Sequence, residues 1–176
     1  MLFKAFQVAE RGVNYSWTKG VHYTLFSDLP MCDWDWDDPI HPTQCVTVTC
    51  VQDVILILEE YLNTHQDYIK VYVTPSGVHA FFLGRPRSVL ELDWEGLNSD
   101  PLYEMLSKRM GGFGVRVSAK QRPKDFIAEY VITLANCEPD PELVRKLEVH
   151  HDRRIAEFRD RDAGKWAAEA VLKARV

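Results

Sequence analysis

The chain has 176 residues, 46% of them hydrophobic and 27% charged, with a formal net charge of −5 and a sequence pI of about 5.7. That size and apolar share suit one globular domain with a sizeable core. The acidic balance excludes a generic nucleic-acid coat, so any contact with nucleic acid must rest on a local basic patch, and the longest apolar run, VILIL at 54–58, is too short to span a bilayer.

The opening MLFKAFQVAE carries Lys4 and Glu10 and no long apolar run, which predicts no secretory leader. Residues 1–30 hold strand-like pieces, among them the aromatic and β-branched GVHYTLF at 20–26. MCDWDWD at 31–37 alternates strictly. As a strand it puts Asp33, Asp35 and Asp37 on one face and Cys32, Trp34 and Trp36 on the other. DPIHPTQ at 38–44 is a loop. Thr49, with Gln52 three residues on, predicts a capping box. Val51, Val54, Ile55, Leu58, Tyr61 and Leu62 then recur at helical spacing up to Asn63.

YIKVYVT (68–74) and VHAFFLG (78–84) are strands around a Pro-Ser-Gly reversal. Residues 85–99 are irregular and include Arg85, Arg87, Glu91, Asp93 and Trp94. SDPLYEMLSKRMGG (99–112) is a short helix capped by Ser99 or Asp100, with Pro101 in its first turn and Gly111 ending it. GVRVSAK (114–120) and DFIAEYVITL (125–134) are two further strands joined by the basic link QRPK. From Asp140 the chain is helical and highly charged, with a break at Gly164 before KWAAEAVLKAR. The element order predicts an α+β or mixed α/β sandwich. Residues 1–138 form the main domain and 139–176 a charged helical C-terminal extension.

Cys32, Cys45, Cys50 and Cys137 form no C-x-x-C pair and no zinc-like spacing with histidine. They read as reduced thiols of a cytosolic protein. The five tryptophans are core or rim, with Trp34 and Trp36 bracing the acidic strand. His150 and His151 point about 100° apart on a helix, which makes them poor joint ligands, and they are taken as surface residues.

Four groups of residues bear on chemistry. Asp33 and Asp35, at i and i+2 on a strand, stand roughly 7 Å apart on one face; such oxygen pairs suit Mg²⁺ or Mn²⁺ completed by substrate phosphates. Alone, the stretch fits a solvated turn into Asp38-Pro39 better. Ser76 and Gly77 at a turn allow backbone N–H groups to approach a phosphate, and His79 starts the next strand beside them; an ordinary hairpin turn accounts for the same residues. Lys108, Arg109, Arg116, Lys120, Arg122 and Lys124 form a basic cluster. Arg116, Ser118 and Lys120 lie on one strand face, suited to a triphosphate or a template backbone, or to a solvated edge. Asp125 or Glu129 on the following strand supplies a third carboxylate, with Asp125 preferred, and Asp93 and Glu91 are further possibilities.

The order of these features resembles the archaeo-eukaryotic primase superfamily, over roughly residues 25–135. Asp33-Trp34-Asp35 matches its D-x-D strand, and Thr74-Pro75-Ser76-Gly77-Val78-His79 its small-residue turn leading to histidine. Asp125 matches its lone acidic residue on a later strand. The tryptophans beside the aspartates stand where small aliphatic residues are usual, and no zinc-binding or helicase segment is recognisable. The resemblance implies an RRM-like α+β catalytic core with a mixed or antiparallel sheet and a smaller N-terminal α/β unit.

It further implies template-directed nucleotidyl transfer, as a DNA polymerase, a primase or both. Mg²⁺ or Mn²⁺ is then held by Asp33, Asp35 and Asp125. His79 contacts the incoming triphosphate with Ser76 and Gly77, and Arg116 and Lys120 neutralise its charge. The implied partners are single-stranded or primed DNA, nucleoside triphosphates, and a replication helicase or larger replication polypeptide in the cytoplasm of a bacterial or phage-infected cell. A metal-dependent nuclease or phosphohydrolase fits the carboxylates and histidine as well. So does a non-catalytic module that uses residues 139–176 for a nucleic-acid or protein partner.

Overall fold

The computed structural model describes residues 3–9, 12–17, 24–36, 48–116 and 128–159. Its strands are β1 (Phe3–Ala9), β2 (Gly12–Trp17), β3 (Thr24–Ser27), β4 (Met31–Asp35), β5 (Tyr68–Val73), β6 (Gly77–Phe82), β7 (Phe113–Arg116) and β8 (Glu129–Ala135). The helices are α1 (Val51–Leu62), α2 (Trp94–Leu97), α3 (Pro101–Met110), α4 (Pro141–Leu147) and α5 (Arg153–Arg159), with a π-helical turn (Glu148–Asp152) between the last two. The chain is therefore α+β. Two four-stranded sheets run in the orders β1-β2-β3-β7 and β4-β6-β5-β8, and every named strand pairing is antiparallel. β7 closes onto β3, so the N-terminal strands share a sheet with a strand from the middle of the chain.

In the second sheet α1 connects β4 to β5, and β6 lies between them. This is a split βαβ unit. One sheet face is apolar: Cys32, Trp34, Val78, Ala80, Phe82, Ile69, Val71 and Val73 are all buried. They share a core with Val51, Val54, Leu58 and Tyr61 of α1, and the rings of Tyr61 and Phe82 meet at 5.5 Å. Each such large apolar side chain contributes about 1.5–3 kcal/mol on burial. The opposite face carries Asp33 and Asp35 of β4, His79 and Phe81 of β6, and Lys70 and Tyr72 of β5, by the alternation of their registers.

α1 starts one residue later than a Thr49 cap implies. Cys50 is the cap residue, and Asp53 rather than Gln52 closes the box. The Asp53 carboxylate accepts from Thr49 N–H and Oγ1, both at 2.8 Å, and from Cys50 N–H at 3.2 Å, because aspartate at N3 reaches back to these unpaired donors. α3 ends as expected at Gly111, whose φ of 67° is the left-handed conformation glycine accepts without strain.

The C-terminal helices lie on the sheet. Leu143, Leu147, His151 and Ile155 are buried, and the apolar three belong to the main core. The expectation that His151 is a surface residue is therefore corrected, since it is only 3% exposed. Four-residue spacing drifts around a helix of 3.6 residues per turn; the wider π turn takes up that drift and keeps His151 in the stripe. Its ring packs on Tyr72 at 4.6 Å and Phe81 at 4.7 Å, and its Nδ1 meets Asp152 Oδ1 at 2.8 Å. Tyr72 Oη donates to the same oxygen at 2.9 Å.

This buried cluster sets a pH dependence. Burial pushes His151 below its ordinary 6.5, and the Asp152 contact only partly offsets this. Burial would raise Asp152, but the bonds from His151 and Tyr72 outweigh it and hold the carboxyl below its ordinary 3.8. Both groups bind fewer protons folded than unfolded, so stability falls as pH falls. His151 acts from about pH 6.5 downward, and Asp152 below about pH 4. His150, also lowered by burial, acts in the same direction as His151. The urea midpoint is expected to drop between pH 7 and 5, with a smaller drop in His151→Leu; equal slopes in the two proteins would contradict this.

Candidate functional site

β4 and β6 run antiparallel with Asp33 opposite His79 and Asp35 opposite Gly77. Directly opposed residues share a face, so the two aspartates and the histidine come together from segments more than 40 residues apart. His79 Nε2 lies 3.3 Å from Asp33 Oδ1, and the two side chains are 23% and 22% exposed. They are thus partly desolvated yet open to a ligand. Asp35 is half-buried on the same strand.

The strand beneath this pair is rigidly held. Trp34 and Trp36 are buried as the alternation predicts. Their indoles donate to Leu97 O at 3.0 Å and Thr74 O at 3.3 Å. The Asp33 carbonyl accepts from Asp100 N–H at 2.8 Å and Ser99 Oγ at 3.2 Å. These bonds fix the first residues of the α3 approach against the acidic strand.

They also bring in a carboxylate that sequence reasoning read only as a helix cap. Asp100 caps α3 by accepting from Leu102 N–H at 3.1 Å. Burial raises its carboxyl above the ordinary range; backbone hydrogen bonds oppose the shift, and the nearby Asp33 charge adds to it. Its only sequence signal, Ser-Asp-Pro, is that of a cap.

The turn before His79 is tighter than a phosphate cradle requires. Thr74 N–H and Oγ1 bond to Gly77 O at 2.8 and 3.1 Å, and Gly77 N–H donates to Thr74 Oγ1 at 3.0 Å. Gly77 N–H is thus already engaged. A Cβ on Gly77 would sit 1.9 Å from the Trp34 carbonyl oxygen, so glycine here permits the close approach of β4 and β6. Gly77→Ala is expected to cost about 1–3 kcal/mol, as overpacking against unyielding backbone does, and to shift the amide signals of Trp34 and Asp35. Wild-type stability in that variant would contradict the packing. Ser76 is exposed, and its carbonyl accepts from Trp36 N–H at 2.8 Å.

Glu129 opens β8, which is separated from β4 by β6 and β5. It therefore stands about 14 Å away by strand spacing and is not beside Asp33 and Asp35; the chain returns to the far edge of the sheet. Asp93 caps α2 through Gly96 N–H at 3.0 Å. Glu91 accepts from Ser88 N–H at 2.6 Å and lies 3.8 Å from Arg85, so both acids have local structural roles. Lys108 pairs with Glu104 at 2.6 Å on the exposed face of α3. Arg116 ends β7, but its side chain lies outside the described residues. So do Asp37, Ser118, Lys120, Arg122, Lys124 and Asp125.

Among the described residues no three His, Cys, Asp or Glu side chains gather as a cation site. Asp33 and Asp35 offer two hard oxygen groups, which fits a Mg²⁺ or Mn²⁺ that keeps waters or takes phosphate oxygens for its other positions. No helix among the described residues is long and apolar enough to cross a membrane. Comparison of the chain with family models, curated proteins and solved structures gives no match.

Proposed function

We propose that the chain is a template-directed nucleotidyltransferase of the primase–polymerase kind. The observation that carries this reading is the pairing of Asp33 with His79 across β4 and β6, with Asp35 beside them. Paired carboxylates that can hold a cation stand next to an imidazole that can meet a phosphate. The split βαβ unit formed by β4, α1, β5 and β6 supports an RRM-like core. Asp33 and Asp35 hold Mg²⁺ or Mn²⁺, with Asp125 as third ligand, and such an ion activates a hydroxyl nucleophile and offsets charge on a triphosphate.

The protein's own groups orient the substrate. His79 exchanges its Asp33 contact for a phosphate oxygen, and Ser76 and Gly77 bound the turn beneath it. Arg116 and Lys120 neutralise charge as the 3′-hydroxyl attacks and pyrophosphate leaves. The substrates are nucleoside triphosphates and a single-stranded or primed DNA template. A helicase or larger replication polypeptide is the expected partner, in the cytoplasm.

The test is incubation with primed DNA, deoxynucleotides and Mn²⁺, alongside single-stranded DNA without nucleotides. Primer extension is the expected result. Cleavage that needs no nucleotide would replace this reading with a metal-dependent nuclease.

A further inference from the structure

Asp33, His79, Tyr72 and Tyr130 are successive register partners across β4, β6, β5 and β8. They form one transverse row on the face of the sheet opposite α1. Two strand spacings carry the row about 10 Å past His79. There a cleft of about 550 Å³ opens between the sheet and the π turn with α5, lined by Lys70, Tyr72, Glu129, Tyr130, His151 and Asp152 among others. Tyr130 is 55% exposed, and its ring meets Tyr72 edge-on at 5.9 Å.

We propose that this cleft takes the heterocyclic base of a nucleotide, stacked on Tyr130, with the base's exocyclic amino group donating to Asp152. An exposed tyrosine on a sheet, held by an edge-on neighbour, offers a face for a planar ring. Asp152 is preset for the second contact. Tyr72 and His151 both bond to its Oδ1, which fixes the carboxylate and leaves Oδ2 to accept. An ionised carboxylate accepts and cannot donate, so Asp152 favours a base that carries an amino group. Adenine and cytosine therefore suit it better than uracil.

The base site stands on the cleft alone. The orientation of the nucleotide, with phosphates toward His79 and Asp33, rests on the nucleotidyl-transfer reading.

Adenosine and uridine, which carry no phosphate, are titrated into the full chain and followed by amide chemical shifts. Adenosine is expected to bind more tightly than uridine and to shift signals of β8 and the π turn. Tyr130→Ala is expected to weaken adenosine about tenfold or more, as loss of one stacking ring does, while Tyr130→Phe keeps the affinity. Tyr130 is exposed, so neither change threatens the fold. Unchanged adenosine affinity in Tyr130→Ala, or no shifts at β8, overturns the base site. In a second arm, the Mn²⁺-dependent gain of ATP over adenosine is expected to vanish in Asp33→Asn while adenosine affinity stays. A gain that persists there overturns the orientation and the nucleotidyl-transfer reading, and leaves the base site standing.

Discussion

Alanine at Asp33 or at Asp35 is expected to lower metal-dependent primer extension about a thousandfold or more. Removing a carboxylate that holds the cation forfeits several kcal/mol of transition-state stabilisation, and each 1.4 kcal/mol is about tenfold in rate. His79→Ala removes the proposed phosphate contact and is expected to cost less, about a hundredfold. The fold should survive these changes. Asp33 and His79 are partly exposed, and a pair of that kind contributes less than about 1 kcal/mol. The underside of β4, where Trp34 and Trp36 are anchored, is untouched. A variant that keeps its urea midpoint and loses extension fits the account; Asp33→Ala and Asp35→Ala that both extend primers normally do not.

Asp67 and Arg87 form an ion pair with side chains only 0% and 2% exposed, at 2.5 Å. The Asp67 carboxylate also accepts from Tyr61 Oη at 3.2 Å and from Tyr68 and Gly84 N–H at 2.9 Å. It joins the end of α1, the start of β5 and the exit of β6. Burial pushes Tyr61 up to about 12, with Arg87 opposing the shift. Asp67→Ala leaves Arg87 buried without its counter-charge and is expected to cost about 3–5 kcal/mol, read as a fall in urea midpoint. Arg87 Nε is already buried without a hydrogen-bond partner, so the pair is not ideally satisfied. The double variant Asp67→Asn/Arg87→Met should therefore recover much of the loss, because it removes both charges. A double variant as unstable as Asp67→Ala would contradict this.

Local signals made most elements legible. The alternation of residues 31–36 yields β4 with both tryptophans buried. Val51, Val54, Leu58 and Tyr61 line the buried side of α1, and Pro101 and Gly111 bracket α3. The juxtaposition of Asp33 with His79 was legible only through the order of motifs, since register between strands far apart in sequence has no local signal. Non-local contacts account for the misses. The approach of Asp100 to Asp33 depends on backbone bonds from residues 99 and 100 to β4. Glu129 is distant because β8 joins the far edge of the sheet. His151 carried a readable sign, the 143–147–151–155 spacing, which the charge around it obscured.

Asp33 and Asp35 are proposed to hold a divalent cation beside His79. Calorimetric titration of Mn²⁺ into the wild-type chain and into Asp33→Asn, each with a non-hydrolysable nucleoside triphosphate, tests it most directly. Saturable binding in the wild type that is lost in Asp33→Asn is the predicted result. Equal Mn²⁺ binding in the two proteins, or none in the wild type, would contradict it.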